Sequence, residues 1–268
     1  MQTHTAPGPQ RHSALYWALS DNWELSKRSL RHIRRDPDQL ASVTIQPIIL
    51  VVMFRYLIGG AIRTDSSDTY INFLMAGIFI ETAALTATTT STSVAADLLG
   101  GSIDRFRSLP MMKSAVLTGH VIADLLRAGL GLAVLVGLGL AVGFRPSAGV
   151  GGWLAAVGIT LLVTLALCWV SAVIGLLGRS VEAVQQFALI LIIPILASSA
   201  FVPTQTMPGW LRAFADNQPM TQAIDAVRAL LLAQPVGNYA WLALAWFTGL
   251  LLLAFGLANL IFARKASQ

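Results

Sequence analysis

Six long apolar runs constrain the fold of this chain more than any other feature. A helix needs about 20 apolar residues to cross the hydrocarbon core of a bilayer, and each run reaches or approaches that length. Only 12% of the 268 residues are charged, about half the usual fraction in soluble domains. We therefore predict an all-α, polytopic membrane protein with six transmembrane helices. The predicted spans are Leu40–Ile62, Ile71–Ala96, Ala115–Phe144, Trp153–Leu177, Val184–Phe201 and Tyr239–Phe262.

The Lys and Arg residues are unevenly divided between the two sides of this predicted bundle. Cytoplasmic loops of membrane proteins carry the excess of positive charge, so both termini are predicted to lie in the cytoplasm. The predicted inner side carries Arg11, Lys27, Arg28, Arg31, Arg34, Arg35, Arg105, Arg107, Lys113, Arg179, Arg264 and Lys265. The other side carries Arg55, Arg63, Arg145, Arg212 and Arg228. We expect a multi-pass protein of a bacterial plasma (inner) membrane, with residues 265–268 as a cytoplasmic tail.

The N-terminal segment is predicted to hold an amphipathic helix. Residues 1–11 are polar and read as a flexible N-terminus, whereas residues 12–36 place apolar side chains such as Trp23 on one face. Arg31, Arg34 and Arg35 lie on the other face, and Pro37 ends the pattern. Such a helix can lie at the membrane surface. It is either an elbow helix that contacts a cytoplasmic partner or a plain membrane anchor.

The loop at residues 97–113 follows the second span and can form a short charged helix. Its apolar residues recur every third position and share a face, while its charged residues point elsewhere. The residues concerned are Ile103, Asp104, Arg105, Phe106, Arg107 and Leu109. Aromatic and Arg side chains are common anchors in protein contacts. The loop is therefore a docking helix for another protein or a solvated connection.

Polar side chains interrupt the second span. Thr82, Thr86 and Thr90 lie roughly on one face, and Glu81 sits near the middle of the membrane. Threonine hydroxyls can bond to their own helix, so close helix packing explains them without a function. A carboxylate at this depth costs about 2.5–3.5 kcal/mol on insertion scales, and it should face other helices or water. These four residues form a candidate cargo path.

Three smaller patterns concern how the spans pack. Asp124 and Arg127 lie one turn apart in the third span and are predicted to form an ion pair. A stripe of small residues in the same span predicts close contact with a helix of this subunit or of a second copy. That stripe consists of Gly129, Ala133, Gly137 and Ala141. Pro47 and Pro194 are expected to bend the first and fifth spans.

The segment at residues 202–238 separates the last two spans and contains four prolines. Trp210 and Phe214 share a short apolar face, and a second helix is predicted over Met220–Leu232, which contains Arg228. These pieces should lie at the outer leaflet as interfacial or partly re-entrant helices. We interpret Trp210, Phe214 and Arg228 as candidates for an outer gate; the alternative is an amphipathic cap.

Motifs of catalysis do not occur in the sequence. It has no phosphate-binding G-x-x-x-x-G-K-[ST] loop, no nucleophile motif and no metal-ligand spacing among its four histidines. We therefore predict no catalytic residue, no metal and no cofactor bound by this chain, and no nucleic-acid partner. If the chain works with ATP, a separate protein must hydrolyse it.

The chain resembles the type 2 (ABC-2) permeases of ABC transporters, in particular those of daunorubicin and doxorubicin resistance. Three stretches carry the resemblance: RHIRRDP at Arg31–Pro37, GSIDRFRSLP at Gly101–Pro110, and the segment Pro208–Leu230. The resemblance implies an ABC-2 fold over residues 37–264 and an elbow helix over residues 12–36. It also implies that this helix and the coupling loop contact an ATPase subunit, which holds ATP and Mg.

The same resemblance implies a dimer of permeases that exports a hydrophobic or amphipathic compound such as a drug, antibiotic or lipid. Glu81 departs from the expected pattern, where an uncharged polar residue such as Gln would stand. Two alternatives stay open at this point. One is a lipid or polysaccharide exporter of the same fold, and the other is a secondary transporter that needs no ATPase.

Overall fold

A computed structural model describes residues 37–58, 70–100 and 115–265, and within these ranges the chain is helical and has no β-strand. The α-helices are α1 (Pro37–Met53), α2 (Tyr70–Leu99), α3 (Ala115–Val142), α4 (Val150–Leu177), α5 (Val181–Ala188), α6 (Ile193–Leu196), α7 (Gly209–Asn217), α8 (Pro219–Leu231) and α9 (Tyr239–Lys265). A π-helical turn, Phe54–Ile58, follows α1, and 3-10 turns cover Leu189–Leu191 and Thr204–Thr206. The all-α prediction is confirmed over the described ranges.

Four helices are long and apolar enough to cross a bilayer. They comprise Tyr70–Leu99, Leu117–Val142, Val150–Leu177 and Tyr239–Phe262. At a rise of 1.5 Å per residue, each exceeds the roughly 30 Å of the hydrocarbon core. The second, third, fourth and sixth predicted spans are therefore confirmed as long apolar helices.

The first and fifth predicted spans are not among the four long helices. Helix α1 and the π-helical turn run continuously from Pro37 to Ile58, where the described range ends, and the fifth span is covered by the shorter apolar stretch Val181–Leu196. Pro47 lies inside α1, whose helix continues past it, whereas Pro194 lies in the first turn of the four-residue helix α6. Because proline has no N–H to donate, the fifth run is divided into α5, a 3-10 turn and α6. The count of six spans stays a prediction.

Helix α2 lies at the centre of the bundle. It is the most buried of the four long helices and packs on α1, α3, α4, α5 and α8, while α9 is the most exposed of the four. Close packing depends on Gly77, where an added Cβ would collide with the backbone of Ala200. Farther along, Gly175 of α4 abuts Ser91 of α2 in the same way.

The ends of the helices gather at two opposite ends of the bundle. At the Arg145 end, the backbone N–H of Arg145 donates to Oδ1 of Asn72 at 2.9 Å, next to the first turn of α2. At the Asp97 end, the Asp97 carboxylate and Nε2 of His120 lie 3.1 Å apart between α2 and α3. The chain leaves α3 through Gly143, whose φ of 108° favours glycine. Helices α7 and α8 lie at the Arg145 end, because Ala148 donates to the Leu231 carbonyl at 3.1 Å.

The small-residue stripe of α3 does not pack closely within the described parts of the chain. Added Cβ atoms at Gly129 and Gly137 would meet no described atom within 4 Å, and Ala133 is exposed. The close contact belongs instead to Gly139, whose Cβ would lie 2.6 Å from the Met75 methyl group. Spacing identified a face of small residues, but the face that meets α2 is a different one. Of the two alternatives for this stripe, close contact with another helix of the same subunit is therefore not found among the described residues.

Candidate functional site

A polar seam runs along α2 and consists of Glu81, Thr82, Thr86 and Thr90. All four side chains are buried inside the single chain. The Thr82 hydroxyl donates to the Ile78 carbonyl at 2.8 Å, and the Thr86 hydroxyl donates to the Thr82 carbonyl at 2.9 Å. The helix itself therefore satisfies these two hydroxyls, as threonine allows in an apolar environment.

Thr90 differs from the other threonines of the seam because it bonds to another helix. Its hydroxyl donates to Oδ2 of Asp124 on α3 at 2.5 Å. Asp124 also accepts from Arg127, which confirms the predicted ion pair, and Arg127 contacts the Thr89 hydroxyl at 3.4 Å. A buried ion pair needs such additional hydrogen bonds to offset the loss of water. The seam therefore connects α2 to a charged pair on α3.

Glu81 is the polar residue of the seam with the weakest support from its surroundings. Its side chain is 4% exposed, and Oε2 has no hydrogen-bond partner among the described residues. Buried carboxylate oxygens are normally hydrogen-bonded, and an unpaired one is costly. Glu81 is thus one of the buried groups of the described chain that can accept a polar or cationic partner from outside the subunit.

A second polar cluster, which we call the Arg228 cluster, consists of Arg228, Asp225, Ser199 and Phe73. Arg228 of α8 donates to Oδ1 of Asp225 at 2.5 Å, to the Ser199 carbonyl at 2.6 Å and to the Phe73 carbonyl at 3.1 Å. Its guanidinium also lies 3.8 Å from the centre of the Phe73 ring, within cation–π range. Burial lowers the pKa of Arg228 to about 10, while Asp225 opposes that shift. The side chain stays charged at neutral pH.

Further side chains bond to backbone carbonyls at and after the end of α6, where the helical hydrogen bonds stop. The Gln218 amide donates to the carbonyls of Pro194 at 2.8 Å and Ala197 at 2.6 Å. The Tyr70 hydroxyl donates to the Phe201 carbonyl at 2.9 Å. Non-helical backbone at membrane depth must find such donors. Groups from α2 and from the start of α8 thus hold the end of the fifth run in place.

The three candidate gate residues do not come together. Trp210 and Phe214 lie on α7 with 77% and 53% of their surfaces exposed, whereas the Arg228 side chain is 11% exposed in its cluster. Exposed aromatic residues on a short helix at one end of a membrane bundle are typical of a membrane–water interface. The structure therefore separates an aromatic surface on α7 from a buried ionic contact on α8.

Two groups of candidate residues lie outside the described parts of the chain. They are the elbow-helix residues Trp23, Arg31, Arg34 and Arg35, and the coupling-loop residues Ile103, Asp104, Arg105, Phe106, Arg107 and Leu109.

Sequence reasoning missed Ser199, Gln218, Tyr70 and Phe73 as members of the clusters at the Arg145 end. One signal could have found Gln218. A helix that ends after a proline leaves its last carbonyls without donors, so a nearby amide before the next helix is a natural partner. No comparable signal marks Phe73, because its contribution is a backbone carbonyl and a ring face from a helix 155 positions away.

The bundle of long apolar helices with buried polar contacts is that of a polytopic helical membrane protein. Within this class, residues 21–232 match the family model described as "ABC-2 type transporter". The chain belongs to the ABC-2 type transporter family and is a membrane transport component rather than an enzyme.

Curated relatives agree with this assignment. The chain is 34% identical over 224 residues to the daunorubicin resistance ABC transporter permease protein DrrB1 of Streptomyces coeruleorubidus, which covers 83% of this chain and 77% of that protein. It is 25% identical over 248 residues to the probable doxorubicin resistance ABC transporter permease protein DrrC of Mycobacterium tuberculosis, covering 91% and 88%. The resemblance drawn from the sequence is confirmed.

Proposed function

We propose that this chain is the permease subunit of an ABC exporter that moves a hydrophobic or amphipathic compound outward. The supporting observation is its similarity over most of its length to a permease named for daunorubicin resistance. Daunorubicin is an amphipathic cation, and Glu81, which is buried with no hydrogen-bond partner for Oε2, is an acidic side chain that can pair with such a compound when it is ionised. A separate ATPase subunit, with its own ATP and Mg, supplies the energy.

The proposed arrangement comprises an elbow helix at residues 12–36, six spans within residues 37–264, and both termini in the cytoplasm of a bacterial inner membrane. The excess of Lys and Arg on the side of the Asp97 end supports this orientation. In this arrangement the coupling loop at residues 97–113 contacts the ATPase, and two permease copies form the pathway. Motion of the ATPase subunits would reach α1, α2 and the fifth run through that loop.

Drug accumulation in a sensitive bacterial host tests the proposal. Cells that express this chain together with an ABC ATPase subunit from the same organism should accumulate less daunorubicin than cells that express either chain alone. An ATPase whose phosphate-loop Lys is replaced by Ala provides the control, because it binds the permease but does not supply energy. Uphill transport driven by an ion gradient without any ATPase would contradict the proposal and favour a secondary transporter.

A further inference from the structure

An apolar groove of about 420 Å³ lies between the end of α4 and the side of α5. This volume is within the range of roughly 300–1,000 Å³ that small-molecule sites occupy. Its apolar walls are Ile174, Leu177, Val184, Phe187 and Ile190. Leu177 and Phe187 are 62% and 68% exposed, so the described chain leaves much of this apolar surface uncovered.

Arg179 lies at one end of the groove and is its single charged lining residue in the described chain. The side chain is exposed and forms no hydrogen bond or ion pair with the described residues. A guanidinium can bind a phosphate through two parallel hydrogen bonds. The neighbouring Glu182 is exposed in the first turn of α5, and it does not line the groove.

The groove lies at the depth where a membrane-spanning helix leaves the apolar layer. Leu177 is the last residue of α4, and the groove follows the final turn of that helix before reaching Arg179. It is at the Asp97 end, where Leu176 packs near Asp97 and His120. Basic pockets between transmembrane helices on the cytoplasmic side are known to bind anionic headgroups.

The charge of Arg179 distinguishes between possible occupants. The N-terminal segment is rich in Lys and Arg, and its basic face would be repelled by Arg179. A second copy in a two-fold arrangement would place the same patch against itself, which brings two arginines toward each other. A molecule with an apolar chain and an anionic group at one end matches both parts of the groove.

We propose that this groove binds an acyl chain of an anionic phospholipid of the inner leaflet and that Arg179 holds the lipid phosphate. The site rests on the proposed orientation of the chain but not on the identity of the exported compound. Bound there, a lipid would fill the wedge between α4 and the fifth run.

Photolabelling of the full-length chain in phosphatidylcholine vesicles tests the site. The probe is phosphatidylglycerol with a photoreactive group in its acyl chain, and the labelled peptides are identified by mass spectrometry. Labelling is expected within residues 174–190. Unlabelled phosphatidylglycerol should displace the probe, whereas phosphatidylcholine and inorganic phosphate should not.

Three variants distinguish binding of the lipid probe in the groove from a general attraction between the probe and the basic surface of the protein. Arg179→Gln should lower labelling about tenfold, the loss expected for one charge-assisted hydrogen bond. Ala183→Phe, which places a ring in the groove, should abolish labelling. Arg264→Gln removes an exposed arginine near the end of α9 and should leave labelling unchanged.

Equal labelling by a phosphatidylcholine probe, displacement by inorganic phosphate, or unchanged labelling of Arg179→Gln would each overturn the proposal. So would labelling that appears only after two copies of the chain are dissociated, because a second copy would then be the occupant. A chain that exports drug normally but takes up no label would reject the lipid site and leave the proposed function intact.

Discussion

The guanidinium of Arg228 donates a hydrogen bond to the backbone carbonyl of Ser199 at 2.6 Å. This contact joins α8 to the chain that follows the broken fifth run, and Arg228 bonds in addition to Phe73 of α2. One buried side chain therefore connects three parts of the Arg145 end. If the proposed outer gate exists, this is the contact that holds its buried side together.

Arg228→Ala is expected to destabilise the protein by about 1.5–3 kcal/mol, because it leaves the Asp225 carboxylate, which is 23% exposed, without its cation. Thermal unfolding of the purified protein in detergent measures the effect. Arg212→Ala is the matched control, since Arg212 also pairs with an aspartate, Asp216, but on the exposed face of α7. The Arg212→Ala variant should lose no more than about 0.5 kcal/mol of unfolding free energy. Equal effects of the two variants would contradict the structural role of Arg228.

Gln218→Ala removes both donors that bond to the carbonyls of Pro194 and Ala197. The expected cost is about 1–3 kcal/mol, the penalty for buried acceptors without partners. A single cysteine introduced at Ser198, which is buried, should also react faster with a thiol reagent as the broken run loosens. This comparison requires Cys168 to be replaced by Ala in both proteins. Gln205→Ala, at an exposed position in the same outer segment, should change neither measurement.

Gly77→Ala should separate α2 from the backbone at Ala200, because the new Cβ has no space there. Overpacking of this kind typically costs about 1–3 kcal/mol. Gly129→Ala, the same substitution in another long helix, is the control, since its Cβ would meet no described atom within 4 Å. That substitution should be neutral or raise stability by up to about 1 kcal/mol through helix propensity. If Gly77→Ala left the stability unchanged, α2 would not be in contact with the backbone at Ala200.

Glu81→Gln keeps the shape of the side chain and removes its charge. If Glu81 faces the cargo, export of a cationic compound should fall by about tenfold or more, the loss expected for one charge-assisted hydrogen bond. Export of a neutral compound of similar size should change little. Glu182→Gln, on the exposed surface of α5, serves as the control. Unchanged export of both compounds by Glu81→Gln would reject a role in the cargo path.

The coupling loop is tested by combining Phe106→Ala with Arg107→Glu. The double variant is expected to lose co-purification with the ATPase subunit, because it removes an aromatic anchor and reverses a charge on the same short segment. Arg212→Glu reverses a charge at the opposite end of the bundle and should leave the complex intact. The docking hypothesis would be rejected if the double variant bound the ATPase subunit as the wild type does and the ATPase in that complex still showed drug-stimulated ATP hydrolysis.

The long helices could be predicted from sequence because apolar length is a local property. Pairs within one helix, such as Asp124 with Arg127, were predictable for the same reason. The contact of Thr90 with Asp124 was not, since it depends on which faces of α2 and α3 meet. The two helices of the segment at residues 202–238 were also correctly predicted as helices, because Pro208 and Pro219 mark their beginnings in the sequence.

The fifth run shows why other features could not be predicted. Its composition resembles a continuous span, and Pro194 indicated a bend rather than a division into separate short turns. The division is stable because Gln218 and Tyr70, both distant in sequence, supply the missing hydrogen bonds. The stripe containing Gly129 shows the same limit, since small residues permit a close approach without specifying which helix approaches, and its contact with a second copy stays a prediction.

The carbonyls of Pro194, Ala197, Ser199 and Phe201 all accept hydrogen bonds from side chains of α2 or from groups at the start of and within α8. A small slide of this backbone would break several of these bonds without forming replacements. This stretch of backbone should therefore occupy discrete positions, in which these hydrogen bonds are either all formed or all broken. In the proposed exporter, which must never connect both sides of its membrane at once, a contact with only these two positions would limit leakage through half-open states.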